Sequence, residues 1–330
     1  MDRIQLVQSV LEGRRPDRPP LSFWCHFPAD QVWGRAAVDA HMAHLEAWDL
    51  DFLKVMNDNG YPHDGRIRDA ADLASLTVLD GDEAGFARQL DLLADLKREL
   101  AGRVLMTTTV FNAWATLRRL VGPPKVKHGP PDLTSVNGPS STIKRFLADD
   151  AQAVTTALRT IGASLANFAR RCVEAGADGV FLSVRDDWVD SPGAGESLYR
   201  RLVRPTDLDI LAGAAGGRFN MVHVCGKAVD FRAFAEYPAH VINWADRAAG
   251  PAIRDVSGWA KPALSGGVDN LSTLPDGTPD DVCREVADAL GQAGDRPLII
   301  TPGCTYDPQV VPRANLEALC RAVRTEKSTD

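Results

Sequence analysis

Eight short apolar or β-branched runs, spread along the whole chain and separated by amphipathic segments, constrain what this sequence can fold into. They are Pro20–Trp24 (PLSFW), Asp51–Met56 (DFLKVM), Arg103–Thr109 (RVLMTTT), Gly179–Val184 (GVFLSV), Phe219–Val224 (FNMVHV), Ala239–Trp244 (AHVINW), Pro262–Gly266 (PALSG) and Pro297–Thr301 (PLIIT). Near-continuous apolar runs of this length suit strands buried on both faces, and their alternation with helices predicts βα units and a parallel sheet. The longest helix is expected over Ala151–Ala175, where Val154, Leu158, Ile161, Leu165, Phe168 and Cys172 fall on one face and Gly176 ends it. Asp280–Leu290 and Asn315–Val323 are shorter examples, while Thr134–Ser141 and Ser191–Gly195 read as loops. The expected fold is α/β, a single TIM (β/α)8 barrel with an N-terminal helical segment, filling residues 1–330 as one domain. A doubly wound sheet is the second choice. No run is followed by a dinucleotide or nucleotide phosphate loop, so that chemistry has no support.

Composition narrows the partners. A net charge of −7 argues against a dedicated nucleic-acid or anionic-membrane binder. No apolar run approaches the roughly 18 residues of a spanning helix, and the start, MDRIQLVQSVLEGRR, lacks the apolar core of a signal peptide. A cytoplasmic monomer or homodimer is expected. Six cysteines in 330 residues make no disulfide framework. Cys172, Cys283 and Cys320 fall within helical patterns and read as small core residues.

In a TIM barrel, chemistry gathers at the C-terminal ends of the strands. There the runs deliver Cys25 and His26 (one), Asn57 and Asp58 (two), Asn112 (three), and Arg185, Asp186 and Asp187 (four). The later runs deliver His223 and Cys225 (five), Asp246 (six), Asp269 (seven) and Cys304 (eight). His223-Val224-Cys225 is an H-x-C at a strand end, and residues two apart on a strand share a face. Runs five and eight are not neighbours, so Cys304 can meet that pair only over the barrel axis. One imidazole and two thiolates suit Zn²⁺ with a fourth position left open. Read without a metal, the same residues are two buried thiols and a core histidine.

At these residues the chain resembles a known family. MVHVCGKAVDF, SGGVDN and TPGCTYDPQVVPRANLEAL are similar to the uroporphyrinogen decarboxylase superfamily, and more narrowly to its zinc-dependent methylcobamide:thiol (coenzyme M type) methyltransferase branch. The segment from Val7 to Gly13, the Pro16-Asp17-Arg18-Pro19-Pro20 approach to run one, Asp51–Tyr61 and Glu196–Pro205 carry the resemblance over nearly the whole chain. It implies a TIM barrel in which His223, Cys225 and Cys304 bind Zn²⁺. The metal holds a small thiol as a thiolate that takes a methyl group. It also implies a carboxylate or water as the resting fourth ligand, with Asp58, Asp187 and Asp246 as candidates for that catalytic carboxylate. Arg185 and Lys227 are placed to select an anionic acceptor, and Asn112 and Trp24 complete the expected substrate lining.

The departures shape the expectation. Where uroporphyrinogen decarboxylases carry substrate-clamping arginines, this chain reads Phe23-Trp24-Cys25-His26-Phe27-Pro28, which suits a smaller or less charged substrate. Cys25 and His26 are adjacent, so at most one can face the metal. There is no D-x-H-x-x-G corrinoid signature; Asp39-Ala40-His41-Met42-Ala43-His44 comes near but lies in an expected helix. A methylcorrinoid donor must therefore arrive on a separate corrinoid protein or as free cofactor. A decarboxylase or lyase using Asp58, other zinc-thiolate C–S bond chemistry, and a binding protein without turnover are the alternatives. Cobalamin-independent methionine synthases, which share an H-x-C and a distant Cys, rank lower because the P-G-C context differs.

Overall fold

The computed structural model describes residues 1–122, 139–185, 199–226 and 230–324. Seven of the eight runs form strands: β1 Phe52–Val55, β2 Leu105–Phe111, β3 Gly179–Arg185, β4 Met221–Cys225, β5 Val241–Trp244, β6 Ala263–Val268 and β7 Leu298–Pro302. They pair in parallel and in chain order, β1 to β7, as one curled sheet. Helices intervene, among them Gly34–Trp48, Ala84–Leu100, Ala151–Glu174 and Pro279–Ala293. The α/β class and the parallel sheet follow the sequence pattern.

The first run departs from it. Instead of an eighth strand it forms isolated bridges, Leu21 to Ile300 and Cys25 to Tyr306. Ile300 N donates to Pro20 O at 2.9 Å, and Asp51 N donates to Leu21 O at 2.9 Å, so the run lies between β7 and β1. Ser22 N donates to Ile300 O at 3.3 Å and Tyr306 N to Trp24 O at 3.2 Å, and side chains add to these backbone bonds. Leu21 N donates to the Asp51 carboxylate at 2.8 Å, and Ser22 Oγ donates to Phe52 O at 2.9 Å. Asp51 is fully buried, and both its oxygens accept from Arg18 at 2.7 Å. Pro19 and Pro20 supply no N–H to a ladder. The D-R-P-P segment thus fixes its join through an ion pair rather than a regular strand.

One further reading changes. The expected loop Thr134–Ser141 ends inside a helix, Pro139–Asp149, and its residues 134–138 lie outside the described residues, as does Ser191–Gly195. Within Glu196–Pro205, Tyr199–Val203 winds as a π-helix before the helix Arg204–Gly213.

The interior of the sheet holds one apolar cluster: Trp24, Phe52, Met56, Leu105, Phe181, Phe219, Met221, Val241 and Ile299. Val7 and Val10 of the N-terminal helix Arg3–Leu11 pack into it, beside residues that begin β1 and β2. That helix therefore covers the end of the sheet opposite the C-terminal strand ends. A larger cluster fills the layer between strands and helices and includes Cys172 and Cys320. All six cysteines are free thiols. Among the described residues no helix is long and apolar enough to cross a membrane.

Candidate metal centre

The register of three adjacent strands builds the site. Ser183 pairs with His223, and His223 pairs with Asn243 across β3, β4 and β5. Alternation along β4 turns His223 and Cys225 to the same side. Cys304 arrives from the turn after β7, and one ligand atom from each of the three lies within 4.8 Å of the others. Cys304 Sγ is 3.4 Å from His223 Nε2. His223 is buried, whereas the two thiols are half-buried toward the strand ends.

Asn243 determines which histidine nitrogen faces the sulfurs. Its Nδ2 lies within hydrogen-bond distance of Thr301 Oγ1 (3.0 Å), Ser265 O (3.2 Å) and Pro302 O (3.3 Å), which turns Oδ1 toward His223 Nδ1 at 2.6 Å. An amide oxygen accepts, so Nδ1 carries the proton and Nε2 keeps its lone pair for a metal. Phe181 stacks on the imidazole, with ring centroids 5.3 Å apart and planes at 21°. The Cys225 hydrogen bond, together with His223, holds the Cys304 thiol well below the ordinary thiol range against the opposing effect of burial. Arg185 and Cys225 are register partners on β3 and β4, and Arg185 Nη1 is 3.7 Å from Cys225 Sγ. The guanidinium donates toward that sulfur.

These donors suit a zinc-sized, thiophilic ion: two sulfurs, one oriented imidazole nitrogen and an outer partner for that imidazole. No carboxylate joins the three among the described residues. Asp58 lies elsewhere, with both oxygens 2.9 Å from His26 Nδ1. Asp246 is buried, accepts from Gly267 N at 2.8 Å and lies 3.5 Å from Arg247 Nε; burial pushes its carboxyl up to about 6. Asp187 and Lys227 fall outside the described residues.

The other expected positions divide. Trp24 faces the interior and meets Phe181 edge-on at 5.2 Å. Asn112 is fully buried; its Oδ1 caps the helix Ala113–Val121 by accepting from Ala115 N at 2.9 Å, and its Nδ2 donates to Asp207 at 3.0 Å. Its amide is thus engaged inside the fold. Cys25 is buried against Tyr306, outside the cluster, and burial pushes its thiol up.

Two residues that the sequence reading did not single out belong here. Asn243 appeared only as one polar residue within AHVINW, although an asparagine inside a buried strand must find partners. Lys54, in DFLKVM, alternates with Phe52 and Met56, both of which face the interior, and that alternation was the available signal. Its Nζ lies 2.9 Å from Met56 Sδ, 4.7 Å from the Phe181 ring centroid and 5.5 Å from that of Trp24. Burial lowers its pKa to about 7, opposed first by the charge of Cys304 and then by those of Asp58 and Cys25.

The sequence model of the uroporphyrinogen decarboxylase (URO-D) family matches residues 44–326. Among curated proteins no sequence matches this chain. Of the solved structures it is similar to a methyltransferase from Methanosarcina mazei, at 15% identity and a TM-score of 0.68 over 98% of both chains. It is also similar to a B12-independent methionine synthase from Shewanella sp. W3-18-1, at 12% identity and a TM-score of 0.44 over 71% of this chain and 66% of that one. Such identities speak to the fold alone.

Proposed function

This chain belongs to the uroporphyrinogen decarboxylase family, and from that premise we propose that it is a zinc-dependent methyltransferase acting on a small thiol. The observation that carries the reading is the convergence of His223, Cys225 and Cys304 within 4.8 Å, with the imidazole tautomer fixed by Asn243. These three side chains would hold the metal and leave one position for the substrate sulfur. Bound zinc supplies the Lewis acidity that keeps a coordinated thiol ionised while its sulfur stays nucleophilic.

The chain's own residues do the rest. Asn243 orients the imidazole, and Arg185 keeps the Cys225 side of the site cationic. Phe181 stacks on the imidazole and, with Trp24 edge-on to it, gives the site an apolar side. The reaction forms an S–CH3 bond and breaks the bond between methyl and donor, whose electron pair leaves with the donor. A methylcorrinoid, carried by a separate protein or free, is the donor class we assign. Uroporphyrinogen decarboxylation is disfavoured, because the segment after the first run carries no arginine to clamp a polycarboxylate.

Metal analysis of the purified full chain tests this. We expect one zinc per chain in the wild type, loss of zinc in Cys304→Ser, and thioether formation from methylcobalamin and a simple thiol. Absence of zinc in the wild type, or undiminished zinc in Cys304→Ser, overturns the proposal.

A further inference from the structure

Lys54 is an unusual residue to find inside the sheet. A buried ammonium is expensive unless an anion compensates it. Yet its Nζ finds a thioether, Met56 Sδ, rather than a carboxylate, and its other close neighbours are the faces of Trp24 and Phe181. The charged groups that act on it come from three segments: Cys304 after β7, Asp58 after β1, and Cys25 after the first run, with Cys304 the strongest. Phe181 joins the two parts of the site, since His223 stacks on it and Lys54 lies over its ring. The hydroxyl of Thr107, the register partner of Lys54 on β2, is buried and has no hydrogen-bond partner.

We propose that Lys54 is a positioning residue for the substrate, the buried amine whose ammonium form neutralises the extra negative charge brought by a thiolate in the fourth position of the His223–Cys225–Cys304 site. The inference rests on the metal-centre reading above. Charge counting gives its logic. A divalent ion held by two thiolates and a neutral imidazole is neutral as a unit. Adding a substrate thiolate leaves one uncompensated negative charge in an apolar surround. The Lys54 ammonium cancels it, so ionised thiol is favoured over neutral ligands at the same position. A neutral side chain in its place leaves the metal site intact but removes the preference.

The test uses full-length protein loaded with Co²⁺, whose absorption reports ligands at the fourth position. Wild type and Lys54→Met are titrated with 2-mercaptoethanol, which binds as an anion but carries no other charge, and with imidazole, which binds neutral. A unit charge separated from His223 by the Phe181 ring, at an effective dielectric near 20, predicts that Lys54→Met weakens the thiol by about tenfold or more while leaving imidazole within about twofold. Equal thiol binding in the two proteins overturns the inference. So does parallel loss of both ligands, which signals a deformed site. If the wild type takes up Co²⁺ but 2-mercaptoethanol leaves its spectrum unchanged, the thiol reading itself fails instead.

Discussion

His223 donates its Nδ1 proton to Asn243 Oδ1 across 2.6 Å, and Asn243 in turn is held by Thr301 Oγ1 at 3.0 Å and by two backbone carbonyls. The imidazole is therefore oriented from β5, β6 and β7 together, before any ligand arrives. Asn243→Ala removes that support and leaves the β7 groups without their donor. Partners of metal-bound histidines are worth about 10–100-fold in metal affinity. Competition with a chromogenic chelator should show a loss of that size, with the sheet unchanged by circular dichroism. Retention of wild-type affinity would mean that the imidazole is fixed by the Phe181 stack alone.

Asp207 gives a pH dependence. It is fully buried, accepts from Tyr237 Oη at 2.8 Å and Asn112 Nδ2 at 3.0 Å, and is hydrogen-bonded to Tyr199 Oη. Burial pushes its carboxyl up to about 7 from the ordinary 3.8, outweighing those hydrogen bonds. Between these values the folded chain binds the proton and the unfolded chain does not. Its contribution to stability is thus fully present below the unfolded value and is lost as pH rises toward 7. Urea midpoints measured from pH 4 to 8 should fall more steeply with pH in the wild type than in Asp207→Asn. Taking the difference removes the opposite trends of His41 and Lys54, whose pKa values are lowered by burial.

How far the sequence carries the fold can be judged at particular residues. Seven of the eight runs became strands because near-continuous apolar residues leave a segment no exposed face. Pro20–Trp24 has the same pattern, but Leu21 N donates to the Asp51 side chain and Ser22 Oγ donates to Phe52 O, and apolar periodicity does not register that chemistry. His223, Cys225 and Cys304 were legible because thiols and imidazoles are scarce, and strand order sends them to one axis. Asn243 and Lys54 were not, since their importance lies in the cross-strand register and in what Phe181 touches. Asn112 shows the converse: it is placed at a strand end like a ligand, yet its amide caps a helix and binds Asp207.

The Arg18–Asp51 pair carries the join between the first run and β1. Asp51 is fully buried, while the Arg18 side chain is 29% exposed, so removing the arginine strands a carboxylate that also accepts from Leu21 N. Breaking a buried pair from one side costs about 3 kcal/mol or somewhat more. Arg18→Met should lower the unfolding free energy by that order in urea melts. Arg18→Lys keeps the charge but loses the two-pronged contact and should fall between the two. A wild-type melt for Arg18→Met would show that the join is held by backbone bonds alone.

Gly303 tests how tightly the cysteine after β7 is positioned. A Cβ at this glycine would lie 2.5 Å from Ala245 Cα and 2.8 Å from Ala245 Cβ, against the residue that follows β5. Backbone cannot yield there without shifting the turn, and the next residue is Cys304. Constellations of this kind tolerate displacements of about 0.5 Å before the geometry suffers. Gly303→Ala should therefore weaken metal binding by about tenfold or more through Cys304. Gly291→Ala is the control, because a Cβ there meets nothing within 4 Å and the site lies in the helix Pro279–Ala293. It should leave metal affinity unchanged and raise stability by about 0.5–1 kcal/mol, the usual gain of alanine over glycine within a helix. Chelator competition and thermal melts on both variants separate the effects: metal loss confined to Gly303→Ala identifies the close packing of the β7 turn against Ala245 as the feature that aims Cys304 at His223. Equal affinities in the two variants would show that the turn can move away from Ala245 without carrying the thiol out of reach.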